Sequence, residues 1–473
     1  MGEPDSASTT PVIVRMDQRQ LDELALIVGS RNLYTIPEEK LTFATDGTDV
    51  IHLPAVVVEP DHPEAIQELL RFANRELIPV TPRGAGSGLS GGALAIRGGI
   101  LLSMLKFDRI LEIDPVNLTA TLEPGVINCH LQDAVAEQGL FFPADPASRD
   151  ASTLGGNVAE DAGGSRCYKY GTTRNYILAL DVVLPDGSLQ RLGVTTRKGV
   201  VGYDLKDLLI GSEGTLGVIT SLVVRLLPLP AYRRLVLAMY DDFTRAITGT
   251  GALTARGIIP SALEFMDETC IELTRKELPL KLPPEVKALL LVELDGSDRE
   301  QIDRELEQVA VILEEQGALE VLLADSSERQ EQLWDVRRAM STTIKEKSAI
   351  KKSMDVAVPV SRMEEYLQTT RALQERFAVR VLHYGHLADG NVHTNVIHMT
   401  GGAAAQLEVE AAVRAVLVET LAVGGTISGE HGIGTVKQPY IAMEIPPRLL
   451  ELQKAIKRLF DPNDILNPGK IFV

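Results

Sequence analysis

Cysteine is scarce in this sequence: three in 473 residues, Cys129, Cys167 and Cys270, far apart and without a C-x-x-C pair. That excludes an iron–sulfur ligand set within the chain and suits a reducing compartment. Positive charge is also short. Lys and Arg number 47 against 65 Asp and Glu, and the net charge of −18 is spread along the chain instead of gathered in a tail. The basic footprint that a nucleic acid or an anionic membrane needs is therefore missing. No apolar run approaches the roughly 18 residues that span a bilayer, and the opening MGEPDSASTTPVIV lacks the basic-then-apolar order of a secretory signal. The expected location is the cytoplasm, with membrane attachment only through a partner. Apolar residues are ample at 45%, enough for the two or three cores that a chain of this length requires.

Residues 56–103 alternate strand and helix signals. After VVVEP, Asp61 as N-cap and Pro63 in the first turn open a helix with an apolar stripe at Ile66, Leu69, Leu70 and Ala73. LIPVTP and ILLSML read as strands on either side of a glycine-rich stretch, and a helix is predicted over about 127–138. In the middle, LVLAMY, a helix over about 242–256 and ALEFM form one strand–helix–strand unit. ALLLVEL, an acidic helix near 298–316 with core positions Ile302, Leu306, Val309 and Leu313, and LEVLLAD form a second. Two such units predict a ferredoxin-like antiparallel sheet with helices on one face.

Gly86, Gly88 and Gly91 satisfy G-x-G-x-x-G after a predicted strand. A Rossmann unit is disfavoured because GGALAIRGG runs straight into a strand where a helix should follow, and no G-K-[ST] marks a P-loop. The run from Arg83 to Gly92 reads either as a tight turn or as a nest whose backbone amides point at a pyrophosphate. PADPAS, TLGGNVAEDAGGSR, YGTT and LLIGSEGTLGVIT follow it in order.

This series resembles the FAD-binding domain of the vanillyl-alcohol oxidase / p-cresol methylhydroxylase flavoproteins. Within that superfamily the chain from about residue 40 onward is similar to the FAD-linked 2-hydroxy acid dehydrogenases, the group of the glycolate oxidase flavoprotein subunit and D-lactate dehydrogenase. The resemblance implies an α+β fold. A two-subdomain FAD-binding domain is expected over 1–230, with an N-terminal extension over about 1–40. A substrate or cap domain would cover 231–420, and a C-terminal segment over 421–473 would return to the flavin. It also implies that Arg83, Gly84, Ala85, Gly86, Ser87, Gly88 and Ser90 grip the pyrophosphate. Pro143, Asp145, Thr153, Gly156, Asn157, Gly163, Gly164, Gly211, Glu213, Gly214, Ile219 and, in NPGK, Asn467 would lie near the rest of the cofactor. Some members tether FAD to a histidine in or near the first loop. No histidine occurs between His62 and His130, so FAD is expected to be non-covalent.

The histidines of the C-terminal half gather in HYGHLADGNVHTNVIH and GEHG. Asp, Gly and Asn between His386 and His393 make a helix improbable, and a strand–turn–strand would bring the two imidazoles together. With Glu430 they form a set suited to zinc, iron or manganese. The segments resemble the family's H-x-G-D-G-N-x-H and G-E-H-G-[IV]-G signatures, which implies His386, His393 and Glu430 as metal ligands and His431 facing substrate as base. Asn395 would donate a hydrogen bond to substrate. Ala388 stands where glycine is usual, a costly substitution if that position is left-handed. A carboxylate substrate calls for an arginine, and Arg337 in LWDVRRAM matches the family's W-x-x-R. Arg338, Lys351 and Lys352 are further candidates for substrate contact.

The implied reaction is oxidation of a small 2-hydroxy acid, D-lactate or glycolate first and D-2-hydroxyglutarate or a larger acid as the alternative, with hydride transfer to flavin. Electrons would pass to a quinone, a cytochrome, an electron-transfer flavoprotein or an iron–sulfur partner. Two other classes fit parts of the sequence: a flavin-free metallohydrolase built on the histidine cluster, and an electron-transfer subunit with no substrate site.

Overall fold

In the computed structural model, residues 13–324 and 326–472 are described, and within the helix Ser327–Lys347 all side chains except those of Ala339 and Ser341. The first 12 residues of the expected N-terminal extension lie outside this range. A first lobe holds a four-stranded sheet of β1 (Leu33–Tyr34), β2 (Val56–Val58), β3 (Val80–Arg83) and β4 (Ile100–Ser103) in the order β1-β2-β4-β3. The stripe of the helix Pro63–Glu76 is buried as predicted, against Leu24 and Val28 of the helix Gln18–Val28. Its cap differs. His62 is the N-cap and makes no side-chain capping bond, because the Asp61 carboxylate bonds to the His62 ring at 2.7 Å instead.

A second lobe carries β5 (Ile110–Asp114), β6 (Thr119–Leu122), β8 (Ile177–Val183), β9 (Leu189–Gly193) and β10 (Val218–Arg225), antiparallel in the order β5-β6-β10-β8-β9. β7 (Leu140–Phe141) and β11 (Leu227–Pro228) form a short ribbon beside it. The helix predicted over 127–138 spans Asn128–Ala136 and buries Leu131 and Val135.

The third sheet contains β12 (Tyr232–Tyr240), β13 (Ala262–Met266), β14 (Ala288–Gly296), β15 (Glu320–Ala324), β16 (Ile350–Ala357), β17 (Arg380–His386) and β18 (Asn391–His398). Its order is β15-β12-β14-β13-β17-β18-β16, antiparallel throughout. The first four strands have the ferredoxin-like arrangement expected from the two repeated units, and three more strands extend the sheet beyond β13. Side chains alternate across it with the period of two that a pleated strand dictates. Val236, Ala238 and Tyr240 join one core with the helices Phe243–Ala255, Arg299–Glu315 and Ala403–Ala422. Leu235, Leu237 and Met239 join another under the helices Glu268–Thr274 and Ser327–Lys347. Helices cover both faces and not the one face expected, because the helices Glu268–Thr274 and Ser327–Lys347 pack on the second; β14 is therefore buried along nearly its whole length, which is why ALLLVEL is an unbroken apolar run.

The C-terminal segment leaves the third sheet and returns to the first lobe beside β3. Val80 N–H donates to the Ile465 carbonyl at 2.7 Å, and Asn467 N–H to the Val80 carbonyl at 2.8 Å. Among the described residues no helix is long and apolar enough to cross a membrane.

Candidate active site and cofactor cleft

A cleft of about 1400 Å³, solvent included, opens between the two N-terminal lobes and ends at the histidine cluster. Of the sequence-derived cofactor residues, Arg83, Gly84, Ala85, Gly86, Ser87, Gly88, Ser90, Thr153, Gly156, Asn157, Gly163, Glu213, Gly214 and Ile219 line it. Pro143, Asp145, Gly164, Gly211 and Asn467 do not. Two of them are engaged with neighbouring protein groups: Asn467 donates to the carbonyls of Gly92 and Glu213 at 2.9 and 2.8 Å, and Asp145 pairs with Arg166 at 3.3 Å.

The glycine-rich loop is braced through its carbonyls. Lys470 donates to the Gly91 carbonyl and to that of Leu94 just beyond the loop, each at 2.6 Å, and Arg83 donates to the Ala93 carbonyl at 3.3 Å and to that of Thr45, in a separate segment, at 2.7 Å. The small residues of the loop line the cleft, and backbone amides in such a run can form a nest for an anion. Gly86 has φ +71°, and an added Cβ would lie 2.1 Å from the Arg83 guanidinium, so the turn needs glycine there. On the wall the Ser152 hydroxyl and the Asn157 amide nitrogen are buried without a hydrogen-bond partner, as donors waiting for a polar ligand would be. The donors, the close-approach glycines and the volume fit a dinucleotide cofactor.

Glu160 and Glu213 sit together on the cleft floor. Burial, and then the neighbouring Glu213 charge, pushes Glu160 well above the usual carboxylate range. Glu213 accepts the N–H groups of Ile433 and Gly434 at 2.8 and 2.6 Å, which fastens the GEHGIG loop to the cleft.

The segment HLADGNVH is the predicted strand–turn–strand, with His386 opposite Asn391 and Tyr384 opposite His393 in the β17–β18 hairpin. The two imidazoles meet with ring centroids 5.4 Å apart, and His431 stacks on His393 at 5.4 Å. Gly390 takes the left-handed turn position, φ +82°, whereas Ala388 is not among the residues of positive φ, so the alanine costs nothing. The Nε2 atoms of His386, His393 and His431 lie 3.6, 3.6 and 3.8 Å from Glu430 Oε1. Two ligands about 2.1 Å from one ion, at tetrahedral to trigonal angles, stand roughly 3.4–3.6 Å apart, so the donor set fits a divalent metal. Burial, with the charges of His386 and His431, holds the His393 imidazole well below its usual range, as a neutral ligand should be.

Two buried carboxylates that the sequence reading did not single out stand opposite the two histidines. Glu264 on β13 faces His386 across the β13–β17 pairing, and Asp355 on β16 faces His393 across the β16–β18 pairing. Glu264 Oε1 bonds His386 Nδ1, and Oε2 accepts from Arg337 Nε at 2.7 Å. Asp355 Oδ2 accepts the N–H groups of Gly429, Glu430 and His431 at 3.1, 2.9 and 2.8 Å, and so shapes the loop that carries two site residues. Buried Lys437 donates to the Asp355 carbonyl at 2.7 Å and to Ser428 at 3.0 Å. Burial opposes charge on Asp355, but His431, Lys437 and His393 outweigh it and hold the carboxyl well below its usual range. Asp355, His393, Glu430 and His431 also bring ligand atoms within 4.8 Å of one another. Both Asp355 oxygens are already occupied, Oδ1 by Asn391 at 2.7 Å, so we favour His386 over Asp355 in the ligand set. The one available sequence signal was a lone carboxylate inside each buried strand, ALEFM and MDVAV.

Arg337 lies over the Tyr384 ring, its Cζ 4.7 Å from the centroid, with Nε bonded to Glu264. Arg338 is turned outward, paired with Glu331 and Asp335. Lys351 shares the face of Asp355, and Lys352 is exposed on the opposite one. Asn395 is fully buried on the His393 face; its Nδ2 donates to the His393 carbonyl at 2.8 Å, and its Oδ1 has no partner.

Residues 54–193 match the family model for an FAD binding domain, and residues 229–471 that for FAD linked oxidases, C-terminal domain. The chain belongs to the FAD-linked oxidases. It is 35% identical over 452 residues to glycolate oxidase subunit GlcD of Bacillus subtilis, covering 95% of this chain and 96% of the relative. It is 38% identical over 426 residues to D-lactate dehydrogenase of Anaerostipes hadrus, covering 88% and 89%. The structure of p-cresol methylhydroxylase with substrate bound superposes with a TM-score of 0.80 at 18% identity, covering 97% of this chain and 98% of that one, which shows the shared fold. The protein is thus an FAD-linked oxidoreductase with the α+β architecture expected, and the flavin-free hydrolase reading is set aside.

Proposed function

We propose that this enzyme oxidises a small 2-hydroxy acid, D-lactate or glycolate, to the 2-oxo acid. The observation that carries the reading is a junction: Glu430 and His431 line the cofactor cleft and also belong to the histidine cluster. FAD bound in the cleft supplies the hydride acceptor. A divalent ion, zinc, iron or manganese, held by His386, His393 and Glu430, supplies Lewis acidity toward the substrate oxygens.

The chain's own groups do the rest. Arg337, with Nε committed to Glu264, turns its two terminal nitrogens to the substrate carboxylate, a planar match for two oxygens. Asn395 fixes the substrate by hydrogen bonding. His431 takes the hydroxyl proton on Nε2, since its other ring nitrogen lies toward Asp355, 4.0 Å away. Relatives' names that specify glycolate and D-lactate support the substrate class. The three free cysteines offer no second redox centre, so electrons leave to a quinone or a partner protein, for which an electron-transfer flavoprotein or an iron–sulfur subunit is suited.

Bleaching of the flavin is expected when the purified protein is mixed anaerobically with D-lactate or glycolate, with D-2-hydroxyglutarate as comparison, and a chelator should block it. A flavin that none of the three acids reduces would refute the substrate class. Because the first loop has no histidine, acid precipitation should leave all FAD in the supernatant; yellow colour in the washed pellet would refute non-covalent binding.

A further inference from the structure

We propose that Glu264 is a positioning residue that ties the carboxylate-binding arginine to a metal-binding histidine, setting the direction of one and the tautomer of the other. The proposal rests on the roles given above to Arg337 and His386.

Glu264 is 0% exposed in an otherwise apolar strand, a place where a carboxylate survives only if both oxygens are engaged. Each oxygen has one partner. Oε1, an acceptor, takes the proton of His386 on Nδ1, so that Nε2, the atom 3.6 Å from Glu430, is the ring nitrogen that would face an ion. Oε2 takes the Arg337 Nε proton at 2.7 Å, and the Tyr384 ring beneath fixes the plane of the guanidinium. Burial opposes charge on Glu264, but His386 and Arg337 outweigh it, so the carboxyl is held below its usual range as an anion. The register that sets Glu264 against His386 makes this geometry a property of the sheet; a slip of one residue would turn the carboxylate to the opposite face.

Glutamine has the same shape but one acceptor fewer. In Glu264→Gln the amide NH₂ faces either the His386 Nδ1 proton or the Arg337 Nε proton. The histidine must then change tautomer, or the arginine must turn away.

The test uses the flavin-loaded enzyme, stripped of metal and titrated with Zn²⁺ and Mn²⁺ in turn by equilibrium dialysis, alongside steady-state kinetics with D-lactate and glycolate. In Glu264→Gln we expect one of two losses, according to which partner the amide NH₂ faces: ion affinity falls about 10- to 100-fold, or KM for the acid rises about 10- to 100-fold. Excess ion should restore kcat in the first case and leave KM raised in the second, a split that simple loss of packing would not produce. A folded Glu264→Gln enzyme with both wild-type ion affinity and wild-type KM overturns the inference alone. A wild-type chain that takes up neither ion overturns the metal reading and the inference together. If the glutamine variant does not fold, Glu264→Asp, which keeps the buried charge and shortens the arm by one methylene, should show both changes in smaller measure; wild-type values there overturn the inference.

Discussion

Replacing His393 by alanine is expected to leave an enzyme that carries FAD with a normal spectrum but reduces it about a thousandfold or more slowly with a hydroxy acid. The imidazole is 7% exposed and packed among Tyr384, His386 and His431, with centroids 5.5, 5.4 and 5.4 Å away. It does not line the cofactor cleft, so flavin binding should survive its loss. What disappears is an imidazole that burial and its histidine neighbours hold well below its usual range, and two of the three proposed ligands cannot hold an ion in the same place. Anaerobic stopped-flow spectroscopy with metal analysis of the same sample checks this. Reduction within tenfold of the wild-type rate, or an unchanged ion content, would show that His393 is a packing residue.

Gly434→Ala should act at the other end of the site, with loss of flavin as its first sign. Gly434 has φ +49°, and a Cβ added there would lie 2.1 Å from the Ser90 carbonyl oxygen. That carbonyl cannot yield freely, because it accepts the N–H groups of Thr435 and Val436 at 2.8 and 3.1 Å. The left-handed backbone alone costs an alanine about 1–2 kcal/mol, and the collision adds to it. Since each 1.4 kcal/mol is tenfold in affinity, FAD should bind at least about tenfold more weakly. Gly251→Ala, where the methyl meets nothing within 4 Å, is the control. Flavin titration of the apoproteins decides the matter, and equal affinities would mean that the GEHGIG loop is not part of the cofactor site.

Legibility from sequence followed the range of the interaction. The β-α-β units, the stripe of the helix Pro63–Glu76 and the hairpin at HLADGNVH depend on neighbours within a few residues, and their periodicity shows directly. The cap at Asp61 failed for an equally local reason, since the adjacent His62 competes for its carboxylate. Glycine motifs marked the cleft's loops but not which residues face inward. Asn467 and Asp145 carry polar side chains in the right segments, yet they are engaged with neighbouring protein groups. Glu264 and Asp355 were invisible because their meaning lies in register: each matters through the residue opposite it in another strand, 122 and 38 positions away along the chain. The extension of the sheet by β16, β17 and β18 was hidden likewise, because nothing in MDVAVPV says which edge it will join.

The pairing of β13 with β17 is the shortest in the third sheet, only Glu264, Phe265 and Met266 against His386, Gly385 and Tyr384. Arg337, which reads the substrate carboxylate on our proposal, precedes β17 in the chain, His393 and Glu430, which would hold the ion, follow it, and Glu264 and His386 form the joint between them. The two inventories can therefore drift separately in evolution. Remodelling the earlier segment would retune which acid is accepted while the later segment keeps its ion. The joint itself is the one stretch where neither can change without the other.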